Sequence, residues 1–171
     1  MARDKISLRA FQEGLSAKLQ GVAQSAPSAS KLGLRVGAES WLVDMADVSE
    51  VVPVTTLAHV PLTRPWFAGV ANIRGNLFSI ADFSAFMGGD ITPINMDSRL
   101  LLVNSKFMVN AGLVVNRMLG LRNPELFQRK ATTAGAAPWV AAEYTDASGQ
   151  EWKELNVREL IHHPDFLRVG L

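Results

Sequence analysis

Residues Val60 to Phe83 constrain the fold of this chain more than any other stretch. Pro61 and Pro65 hold the residues before them extended. An apolar run then leads to Ile73, Arg74-Gly75-Asn76 interrupts it, and a second apolar run ends at Asp82. That order predicts a strand, a tight glycine-containing turn and a returning strand. Asp82 stands where it can N-cap a short helical segment, Phe83 to Met87, which Gly88-Gly89 stops. The turn sets one guanidinium, Arg74, at a hairpin tip between apolar flanks. Single charges on turns are common, so a solvated turn residue is the plainest reading of it.

The rest of the chain suits the same architecture. Leu32, Leu34 and Val36 alternate with Gly33, Arg35 and Gly37, as in a half-buried strand that turns at Gly37-Ala38-Glu39 and returns over Ser40 to Met45. Asp47 to Pro53 reads as a helical turn or an edge strand that Pro53 ends. Gly89 to Asp97 is a loop. Arg99 to Val103 is nearly all apolar, hence a buried strand, with Lys106 to Val115 as its partner. Asn116 to Arg122 is a further strand with a bulge signal at Gly120. Asn123-Pro124-Glu125 begins a helical turn, and Arg129 to Pro138 is a loop. Trp139 to Tyr144 and Glu151 to Leu155 form a hairpin. Asn156 and Glu159 have capping-box spacing for a last helix, Pro164 lies beyond it, and an apolar tail (Phe166, Leu167, Val169, Leu171) docks on the body. Many short strands with glycine turns point to small β-barrels, not to a sandwich or a βαβ array.

Ahead of this body, Leu8, Phe11, Leu15, Leu19 and Val22 recur at steps of three and four. They predict an amphipathic helix over Ile6 to Val22, packed on the body, followed by a linker to Ser30.

Composition excludes several functions. The 171 residues are 48% hydrophobic and 19% charged, enough for a packed core. Net charge is +1, so no global basic field attracts nucleic acid. Residues 1 to 35 hold six Lys/Arg against two Asp/Glu, and the remainder eleven against fourteen, so the body is mildly acidic. The four Trp are not interleaved with Lys or Arg, as a base-stacking platform would need. Without cysteine there is no disulfide, thiolate metal site or Cys nucleophile. No apolar run reaches the roughly 18 residues of a membrane span, and the N-terminus lacks a signal-peptide core. A soluble cytoplasmic protein is expected.

Phosphate-binding glycine loops, HExxH and GxSxG are absent. His162-His163 are adjacent, not spaced i, i+4, and read as a solvated helix end. Asp44, Asp47 and Glu50, at steps of three, read as a solvated acidic helix face. A small enzyme or ligand-binding barrel would need a deep polar pocket with perturbed titratable groups, which nothing in the sequence indicates.

Gly69-Val70-Ala71-Asn72-Ile73-Arg74-Gly75, with Asp82 closing the following strand, resembles the signature of the CheW-like adaptor family. Val48-Ser49-Glu50-Val51, Val60-Pro61 with Pro65, and Leu113-Val114-Val115-Asn116 resemble its flanking runs, so the likeness covers about residues 31 to 162. Trp66-Phe67-Ala68-Gly69, Leu119-Gly120-Leu121-Arg122 and Gly149-Gln150-Glu151-Trp152 are similar to the branch that serves twitching motility. Asn76, Ser79, Phe83 and Asn116 depart from the family pattern, and bear on which partners are bound.

The resemblance implies a mainly β fold of two SH3-like barrel lobes sharing an apolar core, with residues 1–30 as helix and linker and 31–171 as the domain. It implies no catalysis and no cofactor. It implies coupling between a methyl-accepting chemoreceptor's cytoplasmic tip and the regulatory domain of a CheA-type histidine kinase, without direct membrane insertion, at membrane-associated receptor arrays. The output is type IV pilus control or, alternatively, a flagellar chemotaxis array. By position, Asn72, Arg74 and Gly75 fall in the receptor-facing region between lobes, and Val48 and Glu50 on a contacted surface of the first lobe. An internal partner for Arg74, such as Asp82, is the competing expectation.

Overall fold

The computed structural model describes residues 30–171. The helix expected over Ile6 to Val22 and its linker lie outside them. Among the described residues eleven strands form two sheets. The first holds β1 (Lys31–Val36), β2 (Glu39–Asp44), β8 (Arg117–Arg122), β9 (Gln128–Lys130), β10 (Val140–Thr145) and β11 (Glu151–Leu155), in the order β8-β1-β2-β11-β10-β9. The second holds β3 (Val48–Pro53), β4 (Phe67–Ile73), β5 (Asn76–Asp82), β6 (Arg99–Val103) and β7 (Ala111–Val115), in the order β3-β6-β7-β5-β4. Each sheet has one parallel pair, β2 with β11 and β5 with β7; all other pairs are antiparallel.

The five-stranded sheet closes on itself. Chain leaving its edge strand β3 crosses to the opposite edge, where Ala58 and Val70 exchange backbone hydrogen bonds of 2.8 and 2.9 Å. Gly69 makes that approach possible. Its φ is +129°, and a Cβ there would lie 2.4 Å from the Ala58 carbonyl oxygen. Inside the closed sheet Ala71, Ile73, Ile80, Leu100, Leu102 and Val114 form one core. Alternate residues of the same strands, Leu101, Val103, Leu113 and Val115, face outward and meet Leu34, Val36, Trp41 and Val43 in a second core. Strand β6 is thus buried on both faces, which is why its sequence is continuously apolar where a half-buried strand would alternate.

Among the described residues three short helices flank the strands: α1 (Phe83–Phe86), α2 (Val157–His162) and α3 (Pro164–Leu167). Asp82 caps α1 as expected, accepting from the Ala85 N–H; it also accepts from the Thr92 N–H and hydroxyl, pinning the following loop. The bulge near Gly120 is present, where β1 shifts register against β8 between Gly33 and Leu34.

Several expectations need correction. The partner of β6 starts at Ala111, not Lys106, because Ser105–Phe107 form a 3-10 turn and Met108 is left-handed (φ 58°). Gln128–Lys130 pair with β10, so the loop expected from Arg129 begins after Lys130. The capping box is half made: Asn156 Oδ1 accepts from the Glu159 N–H, but the Asn156 N–H is taken by the Trp139 carbonyl. Pro164 does not only follow a helix; it opens α3, where its missing N–H costs nothing. Of the tail, Phe166 is buried and Val169 packs on the core, while Leu167 and Leu171 are exposed.

Candidate functional site

Strands β4 and β5 are joined by a two-residue turn in which Arg74 (φ +53°) and Gly75 (φ +85°) are both left-handed. That is the requirement of a type I′ turn, whose twist matches the flanking strands. Arg74 is a costly residue for it, since a Cβ disfavours this region. Asn72 offsets part of the cost: its Oδ1 accepts from the Gly75 N–H at 2.9 Å and fixes the turn. Of the three receptor-facing residues expected, Asn72 and Gly75 therefore shape the tip, and Arg74 projects from it with a side chain 76% exposed.

Arg74 Nη2 donates to Glu50 Oε1 at 2.5 Å. Its internal partner is thus Glu50 and not Asp82. The reason is distance along the strand: Asp82 is at the far end of β5, about 20 Å away at the usual rise per residue. Glu50 lies on the other edge strand, and closure of the sheet brings it round to the tip. Both expected sets of site residues consequently sit on one sheet. A bulge between Val48 and Glu50 aims Val48 at the shared core, against which it packs partly exposed. The acidic helix face does not exist. Asp44 caps the 3-10 turn Met45–Asp47, Asp47 pairs with Lys106 at 2.7 Å, and Glu50 is on a strand.

Beside the tip runs an apolar groove of about 400 Å³. Its floor is Trp66, which stacks on Phe166 with ring centroids 5.8 Å apart and planes at 11°. One rim is Leu77, 62% exposed and three residues from Arg74; the other is Leu167 of the C-terminal segment, 63% exposed. Apolar groups this open, set round a groove, are a feature that association surfaces share. The sequence carries only half the signal, an apolar tail; nothing in it shows that the tail crosses to Trp66.

A larger concavity of about 1020 Å³ lies where the first sheet faces the Ser84–Pro93 and Thr133–Ala137 loops. Its charges include two pairs, Lys153 with Glu39 and Lys130 with Glu151, together with Asp90 and with Glu143, which accepts from the Thr133 N–H and hydroxyl. The bond between Lys130 and Glu151 raises the lysine and lowers the carboxylate. Desolvation, then the hydrogen bond to Glu154, pushes the Tyr144 hydroxyl up to about 12. Donation from the Ser148 hydroxyl and the Trp152 indole holds Asp146 at about 2. All four shifts move away from neutral pH, the reverse of what an acid–base catalyst needs. His162 Nδ1 engages the Arg158 carbonyl and His163 Nδ1 caps α3, so the two rings serve different ends. Among the described residues no group of three His, Cys, Asp or Glu is placed to hold a metal. No helix among them is long and apolar enough to cross a membrane.

A pair of sheets sharing a core, with an Asn-x-Arg-Gly hairpin at one edge, defines the class. The chain belongs to the CheW-like domain family, whose model matches residues 31–165, a family of scaffold and adaptor domains. Protein PilI of Pseudomonas aeruginosa is 29% identical over 161 residues, covering 92% of this chain and 89% of that protein. The chemotaxis protein CheW of Helicobacter pylori is 28% identical over 87 residues, 51% of this chain and 52% of that protein. The crystal structure of the scaffolding protein TtCheW from Thermoanaerobacter tengcongensis superposes with a TM-score of 0.68 at 18% identity, covering 81% of this chain and 90% of that one. The mainly β, two-sheet fold is that of the family.

Proposed function

We propose that this chain is a non-catalytic adaptor that couples the cytoplasmic tip of a methyl-accepting chemoreceptor to the regulatory domain of a CheA-type histidine kinase. The observation that carries the reading is the juxtaposition of Arg74, presented on a rigid turn, with Leu77 at the rim of an apolar groove. An α-helical hairpin offers what such a site takes: an apolar ridge for the groove and an acid or carbonyl for the guanidinium fork. Val48 and Glu50, across the closed sheet, supply the partner-binding surface next to it. The working place of such an adaptor is the cytoplasm, at membrane-associated receptor arrays, and it needs neither cofactor nor metal. Control of type IV pilus twitching is the favoured output, because the similarity to PilI spans nearly the whole chain whereas that to the chemotaxis protein CheW spans half.

Calorimetric titration of the chain against a receptor tip and against the kinase regulatory domain tests this. Binding to both is expected, with Arg74→Ala weakening the receptor contact while the fold survives. Binding to neither would refute it. A deletion strain that keeps twitching but loses swimming would move the output to a flagellar array.

A further inference from the structure

The last eight residues form a fixed strip. After α3, the Val169 carbonyl accepts from the Arg64 N–H at 2.8 Å, and the Leu62 carbonyl accepts from the Leu171 N–H at 3.1 Å, around a bridge between Thr63 and Gly170. Arg64 Nε donates to the Arg168 carbonyl at 3.1 Å. Phe166 is the anchor, stacked on Trp66 and edge-on to Phe86 at 5.2 Å. Leu167, Arg168 and Leu171 are exposed, and Val169 is half-buried against the core. Leu167 and Val169 line the groove opposite Leu77, and Arg168 stands between them. Arg64 and Arg168 are exposed and have no ion-pair partner among the described residues; the one carboxylate side chain on the strip is Asp165. The tip-side cation, Arg74, already has a carboxylate in Glu50.

We propose that this C-terminal strip, with Leu167 as an apolar wall and Arg64 and Arg168 as a cationic rim, selects a partner helix whose apolar ridge is flanked by carboxylates on the strip side. The inference rests on the adaptor reading, in which the groove takes a receptor helix. An apolar ridge fills the space between Leu77 and Leu167. Two unpaired guanidinium groups beside the wall reward acidic flanks and penalise basic ones, so the strip discriminates among helices that the groove alone would accept.

The test titrates the receptor tip, and separately the kinase regulatory domain, into the full chain and three variants, at about 50 and 300 mM salt. The variants are Leu77→Asp, Leu167→Asp and Arg168→Glu, each checked for an unchanged unfolding midpoint. Arg168→Glu is informative because that residue holds the strip through its backbone, the carbonyl accepting from Arg64 and the N–H donating to the Pro164 carbonyl, and not through its side chain. Leu167→Asp is expected to weaken the receptor tip at least tenfold. Arg168→Glu is expected to weaken it about tenfold at low salt and much less at high salt, where screening acts within a few ångströms. Kinase binding is expected to stay within twofold for both. If Leu77→Asp weakens the tip but neither strip variant does, the groove has one wall and the strip selects nothing, while the adaptor reading stands. If Leu167→Asp acts and Arg168→Glu does not, the carboxylate flank is wrong. If the parent chain binds no receptor tip, the adaptor reading falls and takes the inference with it.

Discussion

Gly69→Ala examines the closure of the second sheet, on which the meeting of Arg74 and Glu50 depends. Two effects add. At φ +129° a residue with a Cβ is strained, at about 1–3 kcal/mol. In addition the new Cβ would stand 2.4 Å from the Ala58 carbonyl oxygen and 3.1 Å from its carbon, both backbone atoms that cannot swing aside as a side chain would. The Ala58–Val70 pair has to part, and its two hydrogen bonds are worth about 1 kcal/mol each. The total is about 3–5 kcal/mol, a large part of the 5–15 kcal/mol that holds an ordinary domain together. Gly75→Ala is the control. Its φ is +85° but no heavy atom lies within 4 Å of its Cβ position, so only the conformational cost of about 1–2 kcal/mol applies. Urea unfolding separates them: at a slope of about 2 kcal/mol per molar, the midpoint falls by roughly 2 M for Gly69→Ala and by less than 1 M for Gly75→Ala. Equal losses would refute the claim that the Ala58 contact, and not turn conformation, is what the glycine serves.

Other substitutions have distinct signatures. Arg74→Ala should change stability by less than about 1 kcal/mol, since the pair with Glu50 is largely solvated, and a double-mutant cycle with Glu50→Ala giving more than twice that would contradict an exposed pair. Phe166→Ala should cost about 3–5 kcal/mol by opening a cavity against Trp66 and Phe86, read as a lowered urea midpoint with altered near-ultraviolet circular dichroism. Tyr144, raised to about 12, should make the fold lose stability as pH climbs from about 10 to 12, because the unfolded hydroxyl ionises first; Tyr144→Phe should reduce that slope in the thermal midpoint, leaving the part that the raised Lys130 contributes in the same direction. Asp146, depressed to about 2, should contribute stability that is present above pH 4 and lost as pH falls toward 2, and Asp146→Asn should flatten that acid limb.

Local chemistry was what the sequence could report. The β4–β5 hairpin, the Asp82 cap, the buried strand at Arg99–Val103 and the bulge by Gly120 each depend on residues within a few positions of one another, and each stands where it was expected. Distant encounters were not readable. Glu50 reaches Arg74 only because the sheet closes through Ala58, and a step of three among acids looks the same on a helix as across a turn and a strand. Lys106 to Ala111 reads as strand until Met108 takes a left-handed conformation that no composition rule assigns to methionine. The groove needs Phe166 to find Trp66, a contact between residues 100 positions apart in the chain that no spacing records.

The order in which the strands occur along the chain has a consequence for how the molecule is made. Strands β3 to β7 are consecutive, so the five-stranded barrel can close as soon as Val115 has been synthesised. The first hairpin cannot finish its sheet then: β1 waits for β8 and β2 waits for β11, the last strand to emerge. Until it does, the outward Leu101, Leu113 and Val115 are covered by the hairpin's Leu34, Val36, Trp41 and Val43 but not by Leu155, Val157, Leu160 and Ile161, which complete the same core. The partly folded species expected during synthesis is therefore a closed barrel with an incomplete second core, whose completion needs strand pairings that span most of the domain.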